Sequence, residues 1–99
     1  MSKSNTLIFR KHALQRMFER TIGVDDVALV LDGGKTIVDY PDDTPYPSRL
    51  MPGWPKSRPI HVVAADTPAA ETVIITVYEP DPALWEAGFE RKKHDLSDL

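Results

Sequence analysis

Between Phe9 and Ile22 the chain reads FRKHALQRMFERTI, with Leu14, Met17 and Phe18 at i, i+3 and i+4 and His12, Arg16, Glu19 and Arg20 on the other side. This spacing predicts an amphipathic helix with a largely cationic polar face. Gly23 suits the left-handed position just past a helix end. Val24, Val27, Ala28 and Leu31 then repeat the helical spacing, and Asp25 and Asp26 stand where negative charge suits a helix start. A second helix is expected from about Asp25 to Asp32, stopped by Gly33-Gly34. From Lys35 the period changes. Thr36 to Tyr40 is rich in β-branched and aromatic residues and predicts a strand.

Six of the nine prolines fall between Pro41 and Pro59, so Pro41 to Pro47 reads as turn or extended loop and Ser48 to Trp54 as a short or bulged edge strand. Ile60 to Ala65 and Val73 to Tyr78 are apolar enough to be strands buried on both faces, joined by a hairpin loop over Asp66 to Glu71. Pro80 and Pro82 end the last strand, since proline lacks the ladder donor. Leu84, Trp85 and Phe89 supply apolar anchors for the remainder, before a charged tail from Glu90 to Asp95 that includes His94. The sum is one α+β domain over residues 1–99: two N-terminal helices packed on a three- to four-stranded antiparallel sheet, with a short C-terminal helix as a further candidate element.

With 99 residues there is room for one core. Having no cysteine, the chain holds no disulfide and no cysteine-ligated metal. No apolar run approaches the roughly 20 residues that span a bilayer, and Arg10 and Lys11 interrupt Leu7-Ile8-Phe9 before a secretory apolar segment can form. A cytoplasmic location is expected, with no membrane partner. The net charge of −3 argues against a generic nucleic-acid binder, but its distribution tells more. Residues 1–20 hold Lys3, Arg10, Lys11, Arg16 and Arg20 against Glu19 alone, and Arg49, Lys56 and Arg58 lie in a stretch from Thr44 to Ala65 that contains no acid. A negative total therefore conceals basic segments.

Those segments frame the candidate chemistry. His12 shares the polar helix face with Arg16, whose positive charge biases an imidazole toward its neutral, base-competent form; the plain alternative is a surface or capping histidine. His61, on a predicted strand, returns close to Tyr78 across the hairpin. If paired residue numbers sum to an odd value, His61 shares a face with Tyr78; an even sum sets it beside Val77. A histidine and a tyrosine beside arginines suit acid-base work on a phosphodiester, while cross-strand ring packing explains the same pair without chemistry. Arg49 and Arg58 flank Trp54, an arrangement that can grip single-stranded nucleic acid or simply pair with Asp39, Asp42 or Asp43. His12, His61 and His94 are too far apart in sequence to suggest a metal site, and no phosphate loop, dinucleotide fingerprint or serine elbow is present. Neither metal nor cofactor is expected.

Four blocks, KHALQRMFER from Lys11, DYPDD with PYPSRL from Asp39 to Leu50, RPIHVV from Arg58 and TVYEPD from Thr76, together resemble a family of small bacterial proteins built on a domain of unknown function. The resemblance covers roughly Phe9 to Phe89. That family is in turn similar to toxins of the RelE and MqsR type. The resemblance implies a compact α+β fold, metal-independent cleavage of messenger RNA and an antitoxin protein as partner. It implies catalytic roles for His12, His61 and Tyr78 and substrate-binding roles for Arg16 and Arg49, to which the second basic cluster adds Arg58 as a substrate-binding candidate; such toxins commonly combine basic residues with a tyrosine near the chain end. This chain departs from them in its negative net charge. The competing expectation is a non-catalytic partner-binding or regulatory module, using Trp54, Trp85 and an exposed strand at Ser48 to Trp54.

Overall fold

The computed structural model describes residues 5–93. Its elements run β1 (Thr6–Phe9), α1 (Lys11–Arg20), α2 (Val24–Gly33), β2 (Val38–Tyr40), β3 (Ser48–Gly53), a 3-10 turn (Pro55–Ser57), β4 (Ile60–Asp66) and β5 (Glu71–Tyr78). The sheet has five strands in the order β1-β5-β4-β3-β2, with β1 parallel to β5 and the other neighbours antiparallel. The α+β class holds, but the sheet is larger than expected and mixed. Residues Thr6 to Phe9 form a strand ahead of α1, and Arg10 N–H donates to the Ile74 carbonyl as the chain leaves it. A C-terminal helix is absent among the described residues. Ala83 to Lys93 instead makes turns closed by a bridge between Trp85 and Lys92.

Both helices cover one face of the sheet, α1 on β5 and α2 on β3 and β4. Ala13, Met17, Ile22, Val27 and Val30 meet Met51, Ile60, Val62, Ala64, Ile74 and Val77 there. The packing of α1 differs from the sequence pattern: Ala13 and Met17 go inward, while Leu14 and Phe18 face solvent, Phe18 at 89 % exposure. The helix ends in a left-handed Thr21 (φ 54°), whose N–H bonds Phe18, followed by an Ile22 N–H to Met17 bond of 2.8 Å. Thr21, rather than Gly23, thus takes the left-handed position. Gly23 is extended and begins α2, its N–H bonded at 2.9 Å by the Asp26 carboxylate. At the other end of α2, Gly34 is left-handed (φ 68°), as the glycine pair suggests.

One irregularity decides the rest of the geometry. Near the turn, β4 and β5 pair Asp66 with Thr72, Ala65 with Val73 and Ala64 with Ile74; beyond a bulge they pair Val63 with Thr76, Val62 with Val77 and His61 with Tyr78. The extra residue, Ile75, lets Ile74 and Val77 both enter the helix-side core although they stand three apart. Regular pairing would turn Thr76 into that core beside Val62 and expose Val77, burying a hydroxyl in place of a methyl group. Hydrophobic burial therefore selects the bulge, and the bulge sets Tyr78 opposite His61. The bulge expected in Ser48 to Trp54 falls in β5 instead, and β3 lies inside the sheet along Ser48 to Leu50, where β2 pairs with it.

Candidate active site

On the face away from the helices, Pro52, His61 and Tyr78 align across β3, β4 and β5. His61 is 1 % exposed. Its Nδ1 lies 3.2 Å from the Tyr78 hydroxyl and its Nε2 2.7 Å from the Phe89 carbonyl oxygen. A carbonyl can only accept, so Nε2 carries the ring proton and Nδ1 accepts from the tyrosine O–H. The Trp85 ring meets His61 edge to face at 4.6 Å, and Phe89 packs against Trp54 at 5.6 Å. Residues Ala83 to Lys93 thus form a cap over the histidine. Burial lowers the His61 pKa, partly offset by the Phe89 carbonyl, and raises that of Tyr78, where the nearby Tyr40 adds to the rise. Both therefore stay neutral near pH 7.

Two grooves meet at Tyr78. Along the edge of β5, where β1 ends at Phe9 opposite Ile74, a groove of about 340 Å³ is lined by Arg16, Arg20, Tyr78, Glu79, Trp85 and Lys92, among others. On the sheet face a second groove, about 370 Å³, is lined by Val38, Tyr40, Leu50, Tyr78, Trp85, Glu90 and Lys92. A larger groove of about 590 Å³ lies near Asp39, Asp42 and Asp43; its acidic lining disfavours a phosphate.

The six candidate residues do not form one cluster. His61 and Tyr78 meet in a hydrogen bond, and Arg16 lines the groove onto which Tyr78 opens. His12 is exposed on the first turn of α1, four residues before Arg16 on the same helical side, and does not line that groove. Arg49 pairs with Ala64 on the helix-side face, at the far end of the strands, where it binds Asp66 at 3.0 Å. The sheet therefore stands between Arg49 and the His61–Tyr78 pair. Arg58 is occupied structurally: it donates to the Thr21 carbonyl at 3.0 Å, to the Arg20 carbonyl, and to Glu79 at 2.8 Å. It caps the C-terminus of α1 and ties it to the end of β5. Arg49 and Arg58 pair with Asp66 and Glu79, not with Asp39, Asp42 or Asp43. Sequence reasoning did not single out Arg20, Lys92, Tyr40 or Trp85 as groove residues. For Arg20 the signal was there, four residues after Arg16 and so on the same helical side. Among the described residues no three His, Cys, Asp or Glu side chains converge as metal ligands, and no helix is long and apolar enough to cross a membrane. His94 lies outside the described residues.

Fold and site together define a small α+β domain whose cross-strand histidine–tyrosine pair opens, through the tyrosine, onto a groove lined by arginines. The profile of Domain of unknown function (DUF4258) matches residues 9–79, and the chain belongs to that family. Neither a curated protein nor a solved structure matches it.

Proposed function

We propose that the protein is a metal-independent endoribonuclease of the RelE toxin kind, acting on RNA in the cytoplasm and restrained by an antitoxin protein. The observation that carries this reading is the Tyr78 side chain, hydrogen-bonded through its hydroxyl to His61 and lining the groove of Arg16 and Arg20. Guanidinium groups bind phosphate oxygens bidentately and stabilise the charge of the pentacoordinate transition state. The 2′-oxygen forms a bond to phosphorus as the bond to the 5′-oxygen breaks, leaving a 2′,3′-cyclic phosphate and a 5′-hydroxyl. Tyr78, neutral at pH 7, turns its O–H away from His61 Nδ1 and donates the proton to the departing 5′-oxygen, keeping His61 as the acceptor it returns to. His12, an exposed imidazole one turn from Arg16, takes the 2′-hydroxyl proton and later returns it through water to Tyr78. His61 is buried and acts through Tyr78, so it is a positioning residue rather than a group touching RNA.

The test is to incubate the purified protein with single-stranded RNA in EDTA and to map the new ends, alongside growth of cells expressing it. Fragments ending in 2′,3′-cyclic phosphate support the reading; intact RNA together with normal growth overturns it. A growth defect that survives His61→Ala removes His61 from the mechanism, and one that survives His12→Ala removes the proposed base. A second reading, a non-catalytic partner-binding module, is favoured by one specific observation: Leu14 and Phe18 lie a turn apart on α1 with both side chains exposed. Under that reading Phe18→Ser abolishes capture of a partner, while Tyr78→Phe leaves it unchanged.

A further inference from the structure

The two grooves at Tyr78 differ in chemistry. The edge groove carries Arg16, Arg20 and Lys92 against Glu79 and Asp81, whereas the sheet-face groove is lined by the buried Leu50 and Trp85 with Val38, Tyr40 and Tyr78, and by the charged pair Glu90 and Lys92. Tyr78, Trp85 and Lys92 line both, so an occupant of one lies next to an occupant of the other. The second groove's volume of about 370 Å³ falls in the roughly 300–1,000 Å³ range of small-molecule sites. Tyr40, at 40 % exposure on the edge strand β2, offers an accessible ring at its rim. Glu90, ion-paired to Lys35 at 2.7 Å, adds a hydrogen-bond acceptor there.

We propose that the sheet-face groove is a nucleobase subsite: one base of the RNA stacks on Tyr40 between Tyr78 and Trp85, while its adjoining phosphodiester lies in the edge groove against Arg16 and Arg20. Charge complementarity selects this occupant, because a largely aromatic slot joined to a groove with three cations against two carboxylates matches a flat heterocycle joined to an anion. The inference takes the RNA-cleaving reading as its source for the ligand. It adds Tyr40 and Trp85 as base-contacting residues. Stacking on an aromatic ring tolerates any base, so the slot sets the position of the scissile bond more than its sequence.

The experiment titrates a 2′-deoxy dinucleotide, which cannot be cleaved, against the Trp54→Phe protein, in which Trp85 is the only remaining tryptophan and reports by fluorescence. A matching phosphodiester that lacks bases is the control. The dinucleotide is expected to bind about ten-fold more tightly than the control, an advantage kept by Tyr40→Phe and lost by Tyr40→Ala, in line with the worth of one stacked base. Arg20→Ala is expected to weaken both probes equally and to reduce the slope of log affinity against log salt by about one or less. Equal affinity for the two probes, or a Tyr40→Ala variant that binds as the parent does, overturns the subsite. RNA cleavage is measured in parallel. A protein that cuts RNA with a KM indifferent to Tyr40→Ala retains the nuclease reading and loses the subsite. Tyr40-dependent binding without any cleavage does the reverse.

Discussion

Removing the Arg58 side chain separates two roles that its position in the sequence leaves equally open. If Arg58 grips RNA, Arg58→Ala weakens binding and leaves the fold alone. The structure gives the opposite expectation, since the guanidinium spans two carbonyls at the end of α1 and the Glu79 carboxylate. The arginine and glutamate side chains are 32 % and 36 % exposed, so the ion pair itself is worth at most about 1 kcal/mol. A cation at a helix C-terminus contributes about 0.3–1 kcal/mol, and freeing two carbonyls at the junction of α1, β4 and β5 adds a comparable amount. Arg58→Ala is therefore expected to destabilise by about 2 kcal/mol, which for a domain of this size lowers Tm by roughly 8–16 °C. Glu79→Gln, which keeps the α1 carbonyl bonds, is expected to cost under about 1 kcal/mol. Urea unfolding followed by circular dichroism gives both values from the midpoint shifts at constant slope. A loss below about 0.5 kcal/mol for Arg58→Ala, the level of an ordinary surface change, refutes the structural role, most clearly if RNA affinity falls instead.

Three further outcomes follow from the same geometry. Because burial holds the His61 pKa below its ordinary 6.5, the unfolded chain takes up that proton first; stability present above pH 6.5 declines as pH falls from there through the folded value. Urea midpoints at pH 7.5 and pH 5.5 reveal this slope, and His61→Phe is expected to flatten it, while the lowered carboxylates Asp26 and Glu79 act only in the more acid range. A Cβ added at Gly53 would lie 2.7 Å from Val30 Cγ2, so Gly53→Ala is expected to lose about 1–3 kcal/mol by overpacking, read from the same unfolding curves. Phe18→Ser, at a side chain 89 % exposed, is expected to change stability by less than about 0.5 kcal/mol, checked by thermal melting.

Local pattern carried most of the elements into view, and long-range pairing hid the rest. Both helices, the β4–β5 hairpin and the proline-rich approach to β3 are written in periodicity and turn residues, which act over a few positions. Thr6 to Phe9 carries too little alternation to stand out as a strand, and its parallel pairing with Glu71 to Ile74 has no local signature. The anchors Leu84, Trp85 and Phe89 suggested docking, but Gly88 and Phe89 take positive φ values of 90° and 57°, which a helix cannot contain. At the site, the parity of the hairpin register was visible as a question. Its answer depended on whether Val77 or Thr76 entered the helix-side core, and so on where the helices lie. Arg49 and Arg58 looked alike in sequence because a basic residue in an acid-free stretch shows no partner; Asp66 and Glu79 reach them only once the strands are aligned.

The most direct measurement is the rate of RNA cleavage by Tyr78→Phe, compared with the parent protein at matched stability and over a pH series. Deleting the hydroxyl keeps the ring that packs edge to face on His61 at 5.2 Å and removes the proton donor. If Tyr78 protonates the departing oxygen, kcat falls about 10²–10⁴-fold with KM little changed, and the alkaline limb of the pH profile disappears. Cleavage by Tyr78→Phe at the parental rate and with the parental pH profile would contradict the assignment and return the His61–Tyr78 pair to a purely structural role.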